Sequence, residues 1–543
     1  MSTRNLPADR IAGLKQNWKT DLTSGFIVFL IALPLCLGIA LASGVPPMAG
    51  IIAAVVGGLI VSQISGSYVT INGPAAGLIV VILSAVESLG KGDVMLGYRA
   101  MLAAVVVSGV LLFVFGLLKA GKLGVFFPAS AIHGMLAAIG VIIISKQVHV
   151  ALGVKPGAKE PLELLAEIPH SLGLYNPEIA LIGLVSLLIL IGLPMIKNKW
   201  VKMIPAPMVV VLVGIALGHA FDLEHEHKYL FLDQHVYDIG PRFLVTLPKN
   251  VWDGIVFPNW SLIGSTAFWT AVVSITLVQG IESLLSATAV DRLDPFQRKS
   301  NLNRDIAAVG AGSAISGLLG GLPMIAEIVR SKANIDNGAR TRWSNFFHGG
   351  LMLVFVVAFP HLIHQIPLSA LAAILIFTGF RLASPKEFVS TFRIGSEQLA
   401  IFCTTLLVTL ASDLIIGVAS GIALKFLLHL VRGAPLRSLF KAQVEVLEGE
   451  ENVTEVRVKD VAIFSNFIPL KSKLDALPQQ RHIIVDLSEV DIVDHTVMEH
   501  LHHWGHDYQH AGGQFALIGT DHLKPVSAHP MAARRRLRTQ TPA

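Results

Sequence analysis

Ile71-Asn72-Gly73-Pro74-Ala75-Ala76 and, 249 residues further on, Gly320-Gly321-Leu322-Pro323-Met324-Ile325 share one layout. In each, a Gly-containing extended run-in (Ser67 to Gly73, and Gly317 to Leu322) turns through a proline into a short apolar piece, about 74–87 and 323–336. Proline at the first helical position loses nothing, because its missing N–H would have been an unpaired donor there anyway. Glycine ahead of it permits backbone shapes that side chains resist. Neither piece reaches the ~20 residues that cross a bilayer. In lipid, backbone broken in this way is stable only where it is buried in protein or lines a watery cavity. A matched pair of such segments points to a ligand site where two inverted repeats meet. Two half-helix starts aimed at one place offer unpaired N–H groups and two positive dipole ends, so the expected ligand is an anion.

The surrounding chain is built for a membrane. Of its 543 residues, 53% are hydrophobic and only 15% charged, against about 25% charged in a typical soluble domain. Apolar spans run near 22–43, 47–66, 97–118, 127–146, 178–196 and 204–220. A second set runs near 263–288, 303–319, 343–362, 367–380, 397–412 and 413–431. With the two short pieces these make fourteen transmembrane elements in a seven-plus-seven inverted repeat. The expectation is an all-α membrane domain over 22–432, with repeats at about 22–220 and 263–432, behind a cytoplasmic segment 1–21. Lys119, Lys122, Lys197, Lys199, Lys202, Arg292, Arg298, Lys299, Arg304, Arg340, Arg342, Arg381, Lys386 and Arg393 cluster in alternate, mostly short loops. That bias puts both termini in the cytoplasm. No cleavable leader is visible ahead of the first span. The net charge of +5 comes without a basic patch interleaved with aromatics, so no nucleic-acid partner is expected. Cys36 and Cys403 both lie in apolar segments, which argues against a disulfide framework or a Cys-based zinc site.

Residues 440–525 alternate differently, as a small cytoplasmic α/β domain. Val453 to Asp460, Val461 to Phe464, His482 to Leu487 and Gln514 to Gly519 have strand patterns, and Thr496 to His510 an amphipathic helix. Residues 526–543, with Arg534-Arg535-Arg536-Leu537-Arg538, are expected to be a basic disordered tail. His502, His506 and His510 recur at i, i+4 and i+8, but no carboxylate completes a catalytic metal site and a solvated helix face is the expected role. The same holds for His225, His227 and His235 in an outer loop. No metal or cofactor is expected.

Inside the membrane, Glu282 stands out. A carboxylate left charged and unpaired there costs at least about 2.5 kcal/mol, which makes it a functional residue by default. Beside an anion site it must be neutralised, by a proton after desolvation or by Na⁺ with a hydroxyl such as Ser286 one turn on. Cation occupancy would then favour the anion. Glu327 and Arg330, three apart, share a helix face and are read as an ion pair or as a second titratable group beside the site. No nucleophile–base pair lies in this region, so an enzyme is not expected.

These stretches together resemble the SulP inorganic anion transporters, which pair an inverted-repeat membrane domain with a STAS domain. The resemblance rests on Ala32 to Pro47, Ile71-Asn72-Gly73-Pro74, Gly280 to Ser286, Leu318 to Pro323, Ile328 to Ser331 and Asn337 to Arg342. It implies an anion site at Thr70, Gly73, Pro74, Ala75, Ala76, Gln279, Met324, Ile325, Ala326 and Arg330. It also implies a coupling-cation site at Glu282, Ser286 and Glu327, with Na⁺ or H⁺ as the ion. Ala75 departs from the hydroxyl residue common in bicarbonate carriers, and Glu327 from the small residue of many relatives. Asp491 to Thr496 resembles the STAS strand–loop–helix; soluble STAS regulators carry a phosphorylatable serine near His495. The implied function is secondary active transport of a small inorganic anion, bicarbonate first, by a homodimer in a bacterial cytoplasmic (inner) membrane, with membrane lipid as its surroundings. Alternatives are a sulfate or dicarboxylate carrier, an uncoupled anion channel or exchanger, and a nucleobase–proton symporter on the same membrane fold.

Overall fold

The computed structural model describes residues 6–121, 127–198, 201, 204–231, 235–248, 250–449, 452–478 and 480–536; Lys122, Lys199, Lys202 and the tail from Leu537 on lie outside them. Two compact units emerge, Met1–Gly121 with Ile139–Ala383, and Lys122–Ala138 with Ser384–Ala543.

The first unit opens with α1, Arg10–Ala42, started by Asp9, whose carboxylate accepts the Arg10 N–H. The helix thus begins well inside the segment 1–21 that polarity alone marks as a lead-in. Next come α2 (Pro47–Val56), a π-helical turn Gly57–Val61 and α3 (Ser62–Ile64). The strand β1 (Ile71–Gly73), a 3-10 turn Ala76–Leu78 and α4 (Ile79–Gly90) form the first interrupted segment. Beyond it are α5 (Val94–Leu117), α6 (Ala129–Ala151, which starts in the second unit), α7 (Pro161–Ser171), α8 (Pro177–Gly192), α9 (Ala206–Ala220) and the hairpin β2 (His227–Leu230) and β3 (Val236–Ile239). Then follow α10 (Thr266–Leu293), α11 (Leu302–Leu318), β4 (Ile325–Glu327) and α12 (Ile328–Asp336), the second interrupted segment. The unit closes with α13 (Trp343–Ala358), α14 (Pro360–His364) and α15 (Leu368–Leu382). The expected span 343–362 breaks at Pro360, which cannot extend the hydrogen-bond ladder of α13.

Among the described residues, eight helical stretches are long and apolar enough to cross a membrane, and Ala76–Gly90, Ala206–Ala220, Trp343–Ala358 and Ser396–Ala411 are shorter apolar ones. Many of these helices are buried along most of one face and still expose Leu, Ile, Val and Phe elsewhere, among them Leu184, Leu188, Val354 and Leu407. Such a surface suits lipid. The core of the unit gathers around α1, with Phe29, Leu33, Cys36 and Leu37 packed among Met48, Ile51, Met324, Met352 and Ile374.

In the second unit α16 (Pro385–Ile394), α17 (Ser396–Ala411) and α18 (Leu414–Val431) lead into a six-stranded sheet. Its strands are β5 (Gln443–Glu448), β6 (Val453–Ala462), β7 (His482–Val493), β8 (Gln514–Ile518), β9 (Leu523–Pro525) and β10 (Arg534–Arg536), with α19 (Phe467–Asp475) and α20 (His495–His510) as crossovers. β6, β7 and β8 run parallel, β5 joins β6 antiparallel, and β10 lies between β7 and β9. The expectation of a disordered tail from 526 is corrected here. Arg534 and Arg535 pair with Val493 and Ile492, Ala532 and Ala533 are buried, and Arg536 bonds the Ser488 carbonyl and pairs with Asp491. Strand pairing uses backbone groups, so the far end of β7 can recruit a segment whose side chains announce nothing. The STAS-like region therefore extends past 525 to at least Arg536.

Candidate functional site

β1 and β4 are three residues each and pair antiparallel, Ile71 with Glu327, Asn72 with Ala326 and Gly73 with Ile325. The register is symmetric about the Asn72–Ala326 pair. Each strand runs straight into its half-helix: β4 into α12 through Glu327, β1 into the turn at Ala76 through Pro74 and Ala75. Neither start has a side-chain cap, so the first N–H groups of both helices depend on other partners. Pro74 is not the first residue of its half-helix, as the sequence expects, but lies two residues ahead of the 3-10 turn and five ahead of α4. Pro323 stands likewise, ahead of β4 and five residues ahead of α12. The prolines are 249 apart, whereas β4 starts 254 residues after β1.

The strand pair is held from the surrounding helices. Ser331 Oγ accepts the Ile71 N–H at 2.9 Å. Asn334, buried at the end of α12, donates to the Val69 carbonyl and to Ser344 Oγ, each at 2.8 Å. Gln279 Nε2 donates to the Met324 carbonyl at 2.7 Å and also to Ser313, which accepts the Met324 N–H. Further out, Asp21 accepts the N–H groups of Arg340 and Thr341 at 2.8 and 3.1 Å. Arg342 reaches Asp9 and the carbonyls of Ser62 and Ser65. The Asn337 to Arg342 stretch thereby fastens the run-in of one half to the helices of the other.

Arg330 lies at the crossing. It is 1% exposed. Its guanidinium donates to the Pro74 carbonyl and, at 3.6 Å, to Cys36 Sγ, and it pairs with Glu327 at 3.6 Å. A β-carbon built on Gly73 would stand 2.6 Å from Nη1, so only glycine lets β1 pass this close. Glu282, midway along α10, lies at the start of the other half-helix. A β-carbon on Gly77 would overlap both of its carboxylate oxygens. Glu327 is within electrostatic reach of Glu282.

Among the described residues, Glu282 Oε2, Gln279 Oε1, Ser283 Oγ and Thr70 Oγ1 are buried without a hydrogen-bond partner. Buried polar atoms are rarely left so without a ligand, water or ion to meet them. Gln279, Ser283 and Ser286 recur on the face of α10 that carries Glu282. Ile325 and Ala326 are buried within β4, Ala75 and Met324 are buried just outside the strand pair, and Ala76 begins the 3-10 turn. The sequence missed Gly77, Cys36, Ser313 and Asn345. Spacing could have suggested Gly77 alone, as a small residue in the first turn. Asn345 donates to Asn72 Oδ1 at 3.2 Å, and among the described residues Asn72 Nδ2 too is buried without a hydrogen-bond partner.

The family model described as "Sulfate permease family" matches residues 18–405. The Bacillus subtilis protein named "Putative sulfate transporter YvdB" is 28% identical over 419 residues, covering 77% of this chain and 74% of its own. The bicarbonate transporter BicA of Synechocystis is 24% identical over 490 residues, 88% of this chain and 83% of its own. A solved structure of SLC26A9 matches with a TM-score of 0.68 at 15% identity, over 93% of this chain and 85% of that one.

Proposed function

The chain belongs to the sulfate permease family, a family of multi-pass membrane transporters and not of enzymes, and on that footing we propose that it is a secondary active transporter of a small inorganic anion, bicarbonate first, driven by Na⁺ or H⁺. One observation carries this: two uncapped half-helix starts meet across β1–β4, with Arg330 beneath the crossing and the Glu282 carboxylate against Gly77. The helix starts and the guanidinium attract an anion. Glu282 opposes it until a cation occupies the carboxylate, and that opposition is the coupling. We read the chain as fourteen elements in a seven-plus-seven inverted repeat, with α1, α4, α10 and α12 as a mobile core in an elevator-like motion. We place both termini in the cytoplasm of a bacterial inner membrane and the protein in a homodimer. Family membership sets aside the nucleobase–proton alternative.

Sulfate is the second reading, favoured by the name of the Bacillus subtilis relative. Uptake of labelled bicarbonate and sulfate into proteoliposomes, under an imposed Na⁺ or H⁺ gradient, separates the cases. Bicarbonate uptake that needs one of the gradients is expected. Gradient-dependent sulfate uptake would keep the mechanism and change the substrate, and gradient-independent flux would replace the carrier by a channel.

Gly77→Ala tests the proximity of carboxylate and helix start. The new methyl group meets the far end of a flexible side chain, so Glu282 shifts and the fold holds. An overlap worth about 1–3 kcal/mol is expected to lower gradient-driven uptake by roughly tenfold or more, with the thermal midpoint nearly unchanged. Normal uptake in the variant would show that the carboxylate does not work from this position.

A further inference from the structure

Lys425 is a buried cation in the middle of α18, 1% exposed. Its ammonium finds everything it needs on the α/β domain of its own unit. It pairs with Asp494 Oδ2 at 2.9 Å, donates to Thr496 Oγ1 at 2.8 Å and lies 4.7 Å from the centroid of the Phe464 ring. His429, one turn on, approaches the same carboxylate at 3.5 Å. Asp494 and Thr496 are themselves buried, 1% and 2% exposed.

The domain shapes this place with its own backbone. Asp494 Oδ1 caps α20 by accepting the Val497 N–H at 2.8 Å, and Oδ2 accepts the Phe464 N–H at 2.9 Å. Burial opposes the charge on Asp494, but Lys425, His429 and these donors hold its carboxyl far below the usual range. Phe426 packs on Phe464 and Phe440, at centroid distances of 5.0 and 5.5 Å, and closes the pocket with aromatic rings. Carboxylate, hydroxyl and aromatic face together form a socket for an ammonium ion. At the start of a helix, where an anion would otherwise be welcome, the Asp494 cap has turned the site into one for a cation.

We infer that the STAS-like domain carries an ammonium socket at the start of α20 and that Lys425 of α18 is its resident plug, fastening the domain to the last membrane helix. The residue next to the position that resembles a regulatory switch is thereby used for docking: Thr496, neighbour of His495, accepts from Lys425 with its hydroxyl and is closed to solvent. The inference does not depend on which anion is carried or how its transport is coupled.

A double-mutant cycle on the full chain in detergent tests it. Breaking a buried pair strands one charge, whereas removing both charges leaves none stranded. Lys425→Met alone and Asp494→Asn alone, the latter able to keep the helix cap, should each lower the thermal midpoint. Each should also speed tryptic cleavage of the linker at the exposed Arg437 and Lys441, by about tenfold or more. The Lys425→Met/Asp494→Asn double variant should recover toward the parent in both readouts. If the singles express too poorly to measure, Thr496→Val supplies a milder loss, which Thr496→Ser should not show. Silent single variants, or losses that simply add in the double, would overturn the socket.

Discussion

Glu282→Gln is expected to abolish the cation dependence of anion uptake while leaving the protein folded and the anion site formed. The carboxylate lies against the backbone at Gly77, and its Oε2 is buried without a partner. A charge in that place opposes an anion at the helix starts and is costly by itself, at least about 2.5 kcal/mol at membrane depth. A proton or Na⁺ relieves both penalties, and in doing so links its own movement to that of the anion. Glutamine keeps the shape and removes the charge. It resembles the neutralised state permanently, so nothing is left for a cation to do. The acceleration produced by an imposed gradient should fall by between one and two orders of magnitude, the equivalent of that energy. Anion exchange without a gradient should persist. Labelled uptake with and without the gradient reads both quantities, and full coupling in the variant would remove Glu282 from the mechanism.

Arg330→Met is expected to have the larger effect on the fold. The guanidinium is the link between the two halves at their crossing, bonded to the Pro74 carbonyl on one side and paired with Glu327 on its own. Removing it leaves a carboxylate and a carbonyl facing each other without a cation. Stranding one partner of a buried pair costs about 3–5 kcal/mol. The variant should lose much of its thermal stability in detergent and all measurable uptake. Arg330→Met/Glu327→Met then distinguishes the structural role from the functional one. Stability should return, because no charge is stranded, while uptake should stay absent, because the positive field at the helix starts is gone. Arg330→Lys keeps a charge but not the fork that reaches carbonyl and carboxylate together, and should fall between. Uptake restored in the double variant would make Arg330 a fold residue only.

Much of this site was legible before any coordinates. Glu282 declared itself by composition alone, as a carboxylate in the middle of an apolar span. Pro74 and Arg330 were legible because each follows a local rule, a break ahead of a short helix in one case and a charge three residues from Glu327 in the other. The alignment of Pro323 with Pro74 holds for the helices, each proline lying five residues ahead of its α-helix, and fails only for the strands, which start 254 residues apart. Chain direction gave no sign that β4 would occupy Ile325–Glu327, because a three-residue strand carries no periodicity and exists only through its partner. For the same reason Arg534–Arg536 looked like a loose basic end. Its strand is specified by the unpaired edge of β7, forty residues upstream.

Gly77, Lys425 and Asp494 mark the boundary most clearly. The sequence by itself determined that the chain lies in a membrane, that its two halves each carry a broken segment, and that an α/β domain follows. These are consequences of hydrophobic run length, of Gly and Pro geometry, and of period-two alternation, all of which act along the chain. Tertiary structure alone decided that Glu282 meets Gly77 and that Arg330 reaches Pro74. It alone brought the lysine of α18 to its counter-ion at the start of α20, 69 residues later (494 against 425). Those pairings depend on which surfaces approach in space, where a missing side chain or a buried charge has meaning only through the group it faces.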